Sequence, residues 1–305
     1  MNTFYGNGKL LISGEYAVLD GALALAVPTV YGQSLTVIPS AQAALHWTSM
    51  DDKGKVWFSA VLDTQTLAIK STNNTKIAAT LQRIIKAAKN SNPYFLKDSG
   101  ATVITKLSFP RLWGLGSSST LIYNIAQWAQ VNAYQLLTQT FGGSGYDIAC
   151  AQHNTPIYLQ LKKGTPRVEK NTFSPAFKDR LFFVYLNKKQ DSRAAIHNYR
   201  GRDFDKPMLV TQISDLSLKL TKATTLDTFA ALLHQHEQIL SEVLGIPTVK
   251  ARLFPDYFGA LKSLGGWGGD FVLATGDEST PNYFQSKGFA TVIPFVDMVK
   301  PLPIG

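Results

Sequence analysis

An α+β fold is the class this sequence predicts, because strand-like and helix-like stretches are intermixed along its 305 residues without strict β-α-β alternation. Short β-branched or aromatic runs mark strands at 34–38, 56–61, 101–107, 156–161, 181–186, 270–274 and 290–294. Four further stretches carry a helical period.

In chain order, the first helix is expected over 76–89, where Ile77, Leu81, Ile84, Ile85 and Ala88 form one stripe. The second, over 118–131, does the same with Ile122, Ile125, Ala126 and Ala129. The third, over 226–244, is amphipathic through Phe229, Leu233, Ile239, Leu240 and Val243, and Gly245 supplies its stop. A fourth is expected over 249–264, ending at Gly265 and Gly266. The length favours two domains. Residues 162–178 are rich in Lys, Pro, Thr and Ser and lack a hydrophobic period, so the junction is expected there, giving domains 1–170 and 171–305.

Composition narrows the function. The chain is 45% hydrophobic and 17% charged, with five Trp, 17 Phe and 12 Tyr, which is a globular composition and not a disordered one. Its net charge of +9 favours anionic partners. The cations are dispersed, with no run longer than two (Lys162-Lys163, Lys188-Lys189), so the basic stripe of a nucleic-acid binder is missing and no nucleic-acid partner is expected. One cysteine, Cys150, excludes an internal disulfide and a Cys-based zinc cluster, and reads as a small buried hydrophobe. His234 and His236 lie two apart in a helical stretch and point to different faces, so they cannot chelate one metal and read as solvated or core residues. The apolar run at 22–30 contains Pro28 and is too short to span a bilayer; no membrane partner or signal peptide is expected, and a reducing, cytoplasmic location follows.

Four segments carry the chemistry. Residues 110–120 read PRLWGLGSSST, between a strand and an amphipathic helix. Gly114 and Gly116 permit a tight turn and close approach to a ligand. The following helix N-terminus offers unpaired N–H groups to phosphate, and Ser117, Ser118 and Ser119 add donors. No lysine completes a Walker pattern, and a turn with a serine cap is the plainer alternative. Residues 8–21 read GKLLISGEYAVLDG: a strand broken at Gly14 places Lys9 and Glu15 near one sheet end, with a surface hairpin as the alternative. Residues 142–149 read GGSGYDIA, which sets Asp147 at the entrance of an apolar helix, either to accept a substrate proton or to cap the helix. Residues 262–274 read KSLGGWGGDFVLA, whose glycines could close over phosphates or pack against the first glycine loop.

In this order and spacing the four segments resemble the GHMP kinase superfamily (galactokinase, homoserine kinase, mevalonate kinase and phosphomevalonate kinase) over residues 8–274. GKLLISGEYAVLDG and GGWGGDF are nearer the phosphomevalonate form, PRLWGLGSSST is similar to the family's phosphate loop, and GSGYDIA resembles the mark of a bacterial subgroup. The resemblance implies a domain like ribosomal protein S5 domain 2 followed by a ferredoxin-like domain, with ATP and Mg²⁺ as cofactors and a small anionic molecule as acceptor. It implies that Asp147 is the catalytic acid/base and Lys9 its charge partner. Gly114, Leu115, Gly116, Ser117, Ser118 and Ser119 would hold the β- and γ-phosphates, with Ser118 as the Mg²⁺ ligand. Gly265, Gly266, Gly268 and Gly269 would complete the nucleotide pocket, while Glu15, Tyr16 and Ser144 lie at the substrate side.

Two departures stand out. Residues 124–145 contain no acid where mevalonate kinases carry a Mg²⁺-binding Glu, and Trp267 replaces a small residue, so its ring is expected to narrow or reshape the pocket. The expected activity is phosphorylation of mevalonate or phosphomevalonate, in isoprenoid precursor synthesis. The alternatives are another small alcohol, homoserine or a sugar, or a non-catalytic nucleotide-binding member. A homodimer is compatible with the resemblance.

Overall fold

The computed structural model describes residues 1–97, 99–142, 145–190 and 192–303. They fall into two compact units, each discontinuous in sequence. The first comprises Met1–Gly8, Tyr31–Arg111 and Leu115–Gln152; the second comprises Lys9–Val30, Leu112–Gly114 and His153–Gly305. Two long strands, β1 (Asn2–Ser13) and β2 (Ala24–Ser40), pair with each other and contribute to both units. The mixture of elements is α+β, as expected.

In the first unit, β3 (Ala44–Met50), β4 (Val56–Asp63), β5 (Ile69–Thr72) and β6 (Gly100–Leu107) join the C-terminal half of β2 in the order β5-β4-β3-β6-β2. Only β3 and β6 are parallel in this set. Alternation along the strands sends Leu35, Val37, Trp47, Phe58 and Val103 into the core. There they meet α1 (Thr75–Ser91) and α2 (Ser117–Ala129) through Leu81, Ile84, Ile122 and Ile125. Asn74 starts α1 by accepting the Ile77 N–H at 3.1 Å. Two short helices, α3 (Ala133–Thr140) and α4 (Tyr146–Gln152), pack beside α2.

In the second unit the N-terminal part of β2 pairs with β7 (Ile157–Lys162), and β7 turns back into β8 (Thr165–Lys170). The expected junction near residue 170 is therefore a hairpin inside this unit. Lys163 (φ 51) and Gly164 (φ 76) both take left-handed backbone, the requirement of a two-residue type I′ turn.

A separate antiparallel sheet is built from β9 (Leu181–Tyr185), β10 (Leu261–Leu264), β11 (Phe271–Thr275) and β12 (Val292–Pro294), in the order β10-β11-β9-β12. The unit also holds α5 (Ser192–Arg200), α6 (Lys206–Lys222) and α7 (Leu226–Leu244). The last of these lies against both α6 and β10. Thr225 caps α7, and Gly245 (φ 62) stops it where the sequence predicts. No helix among the described residues is long and apolar enough to cross a membrane.

The helix expected over 249–264 is not formed. A short α8 (Val249–Leu253) ends before Pro255, which pushes Phe254 to φ −141, and residues 261–264 become β10. Proline disfavours helical backbone in the residue before it, so the apolar period there is shared between a helical turn and a strand.

Trp47 is buried at the centre of the first unit, and its indole N–H donates to Ser49 Oγ at 3.0 Å. Replacing it with alanine is expected to cost about 3–5 kcal/mol, read as a lower urea midpoint in equilibrium unfolding; an unchanged midpoint would mean the core does not close on this ring.

Candidate functional site

The chemistry of the second unit begins where β1 ends. Gly14 turns the chain with φ 98, and a side chain there would meet Ala24 Cβ at 2.5 Å, so only glycine fits. Glu15 then points inward. Its Oε1 accepts from Lys262 Nζ at 2.6 Å, with both side chains at most 1% exposed. Lys262 also donates to the Ser263 carbonyl at 2.8 Å.

Two residues of α7 complete the buried cluster. His236 Nε2 accepts the Gly14 N–H at 3.2 Å and lies 3.4 Å from Glu15 Oε2. Glu237 accepts from the Ser263 N–H at 3.0 Å and from the Ser263 hydroxyl at 3.3 Å. Burial holds His236 well below the usual imidazole range, helped by the Lys262 charge, so its ring is neutral with the lone pair at Nε2. Burial raises Glu15 against the opposing pull of Lys262. Burial also lifts Glu237 to about 8, and the neighbouring Glu15 adds to the rise. The cluster thus holds the buried Lys262–Glu15 pair beside a carboxyl, Glu237, that burial shifts toward its protonated form.

Tyr16 follows Glu15 in an unusual backbone state, φ 57 and ψ −51. Neighbours on both sides hold it. The Tyr16 oxygen accepts the Trp267 N–H at 3.0 Å, and its ring stacks on Tyr199 at 5.4 Å between centroids. Tyr199 in turn donates to Asp20 Oδ2 at 2.5 Å. Tyr16 and Trp267 line a cavity of about 200 Å³ together with Gln190, Asn198, Arg202 and Leu244. Trp267 is thus a wall of this cavity.

The glycine-rich segment is the connection between β10 and β11. A side chain at Gly266 or Gly269 would come within 2.7 or 2.6 Å of Gln190, and Gly265 and Gly268 take positive φ. Gln190 Nε2 donates to the Trp267 carbonyl and its N–H to Asp270 Oδ1, the latter at 3.2 Å. Asp270 itself sits at φ 53, with its N–H bonded to the Lys188 carbonyl at 2.6 Å.

Asp270 also reaches the start of the first glycine loop: a side chain at Gly114 would meet the Asp270 carboxyl carbon at 2.5 Å. Burial raises the Asp270 carboxyl, and Lys9 and Lys189 pull it back down. Residues 112–114 are pinned beside it, Leu112 by the Tyr185 hydroxyl at 3.1 Å and Trp113 by an edge-on contact with Phe271 at 5.5 Å.

In the first unit, Gly116 (φ 90) leads directly into α2, and no side chain caps that helix. Ser118 is exposed, and Ser117 and Ser119 are half-buried. Thr120 turns inward and donates to Gln33 Oε1 at 2.8 Å. Asp147 lies in the first turn of α4. Ser144 is outside the described residues.

Of the residues singled out from sequence, Lys9, Glu15, Tyr16, Gly114, Gly265, Gly266, Gly268 and Gly269 belong to the second unit. Leu115, Gly116, Ser117, Ser118, Ser119 and Asp147 belong to the first. The structure adds Lys262, His236, Glu237 and Asp270, none of which the sequence reading assigned. By sequence His236 reads as a core or solvated histidine. It is a core residue, but one bonded to the Gly14 turn.

No family model matches the chain, and no curated protein matches it by sequence. Solved structures do. A mevalonate kinase from Methanococcus jannaschii is similar over 94% of both chains at 17% identity, with a TM-score of 0.68. A phosphomevalonate kinase from Streptococcus pneumoniae, in complex with phosphomevalonate and AMPPNP, covers 94% of this chain and 96% of its own at 14% identity and a TM-score of 0.69. A galactokinase from Lactococcus lactis, complexed with galactose, covers 93% and 88% at 13% identity and a TM-score of 0.65. These structural neighbours are all GHMP-superfamily kinases, and the chain shares their fold.

The buried acids give the stability a pH dependence of defined sign. Glu237 has a folded-state value of about 8 against 4.5 when unfolded, so the folded chain keeps a proton that the unfolded chain releases. Its contribution therefore falls as pH rises through that window, by about 1.4 kcal/mol per pH unit. His236 acts in the opposite sense below its ordinary 6.5, because there only the unfolded chain gains a proton. Between pH 6.5 and 8 the Glu237 contribution stands unopposed by His236. Denaturation midpoints are expected to drop across that interval in the wild type and to stay flatter in Glu237→Gln, and equal slopes would refute the assignment.

Proposed function

We propose that the protein is an ATP-dependent kinase that transfers the γ-phosphoryl group to mevalonate or phosphomevalonate. The observation that carries this reading is the start of α2. Gly114 (φ 69) and Gly116 (φ 90) both adopt left-handed backbone, and the helix that follows is left without a side-chain cap. Its first N–H groups and the serines at 117–119 are then donors available to phosphate oxygens. The shared fold and the +9 charge support the same reading.

In this reading, residues 114–119 receive the β- and γ-phosphates, and residues 265–269 close the nucleotide pocket. Lys9 supplies positive charge at the transferred group. Asp147 accepts the proton of an acceptor hydroxyl, or orients an acceptor phosphate. Magnesium, when bound, neutralises phosphate charge, with Ser118 as a ligand. Tyr16 forms a wall on the acceptor side. The Glu15 carboxylate works from behind that wall, because Lys262 already occupies it.

A coupled ADP-release assay over mevalonate, phosphomevalonate, homoserine and galactose tests the proposal. Turnover is expected on one of the first two. ADP release only with galactose or homoserine would move the protein to another branch, and nucleotide binding without transfer to any acceptor would mark a non-catalytic member. Asp147→Asn is expected to lower kcat by roughly 10²–10⁴-fold while leaving nucleotide affinity largely intact; unimpaired turnover would remove Asp147 from the mechanism.

A further inference from the structure

We propose that Trp267 is a specificity-determining residue of the acceptor site: its ring closes the cavity beside Tyr16 and limits the occupant to a small acid with a compact hydrocarbon body. The inference rests on the kinase reading above, in which Tyr16 stands on the acceptor side, and it assigns a residue that reading does not use. Trp267 is the only residue of 265–269 with a side chain. Its backbone is held from both directions, the N–H by the Tyr16 oxygen and the carbonyl by Gln190 Nε2. The ring is buried, yet its indole N–H finds no acceptor among the described residues.

A buried donor left unpaired destabilises the fold, and a phenylalanine would fill most of the same space without one. Folding alone therefore does not account for an indole here. The ring packs with Tyr16, Tyr199 and Leu244 in one apolar cluster, and it lines the cavity together with Tyr16 and Leu244. Its distinctive contribution is the volume it denies to an occupant.

The cavity lies wholly in the second unit. At about 200 Å³ it is smaller than the roughly 300–1,000 Å³ of common ligand pockets, and it offers the liquid volume of about seven waters. Trp267, Tyr16 and Leu244 are its buried part, whereas Asn198 and Arg202 are exposed. Arg202 is the one charged side chain among the described residues that line it, so an anionic group of the occupant has a partner there. An ammonium group has none. A sugar would set several hydroxyls against Trp267 and Leu244, where they lose water without gaining a hydrogen bond. A short carboxylic acid whose carbon body lies on the aromatic wall suits both parts of the cavity, and that description excludes galactose and homoserine.

Steady-state kinetics on a matched pair of acceptors test the assignment: mevalonate or phosphomevalonate, whichever the wild type turns over, and its homologue with a propyl group in place of the methyl. The wild type should prefer the smaller acceptor by roughly tenfold or more in kcat/KM, since the added methylenes meet the indole. Trp267→Ala should lower that preference by roughly tenfold, and Trp267→Phe should lower it by less. The urea midpoint of Trp267→Phe should equal or exceed that of the wild type, because an unpaired N–H is gone, and this variant decides the matter should the alanine protein fail to fold. Equal preferences in the wild type and the folded variants would overturn the inference alone. A wild type that turns over only galactose or homoserine, or no acceptor at all, would overturn the proposed function and this inference together.

Discussion

The ion pair between Lys262 and Glu15 is the constraint on which the candidate acceptor side of the second unit depends. Both groups are removed from water, where an unpaired charge is too costly to persist, so neither residue can leave without stranding the other. The pair joins a strand late in the chain to a turn near its beginning. Through Ser263 and Gly14 it also enlists Glu237 and His236 of α7. Three elements are thereby fixed around one turn, and Tyr16 is held there in a backbone state that a tyrosine seldom adopts. Strain of this kind lasts only when the surroundings over-determine it. Here Glu15 is anchored on one side of the turn, and the Tyr16 ring is anchored by Trp267 and Tyr199 on the other.

The same unit uses carboxylates in two ways. Glu15 and Glu237 are closed off and act on structure. Asp270 accepts the Gln190 N–H at Oδ1 and packs against Gly114, so it acts on the two loops. The many glycines of residues 265–269 owe their presence to crowding by Gln190 as much as to any ligand. A loop that looks flexible in the sequence is therefore clamped in the fold, with Asp270 as its fixed point.

Much of the architecture was legible before the fold was seen, because the features that reveal it are local. Every strand marked by β-branched or aromatic runs is present, and α1, α2 and α7 lie where their apolar stripes put them. Pro255 defeated the fourth helix, since an apolar period does not record where a proline divides it. The order of the units was hidden too. β1 and β2 each serve both, so no single stretch of composition marks a boundary. The left-handed turns at Gly114 and Gly116 could be read from turn chemistry alone. Lys262 and His236 could not, because their meaning comes from partners more than 200 positions away in the chain. Asp270 sat in plain view behind four glycines, which drew attention to the backbone and away from the acid.

A double-mutant cycle on the central pair tests this account most directly. Glu15→Gln, Lys262→Met and the double variant would be unfolded in urea at constant pH. Each single change strands a buried charge and should cost about 3–5 kcal/mol. The double change strands none, so it should cost less than the sum, with a coupling of at least about 2 kcal/mol. Additive costs, within about 0.5 kcal/mol, would mean the two side chains do not depend on each other and would contradict the role given to the pair.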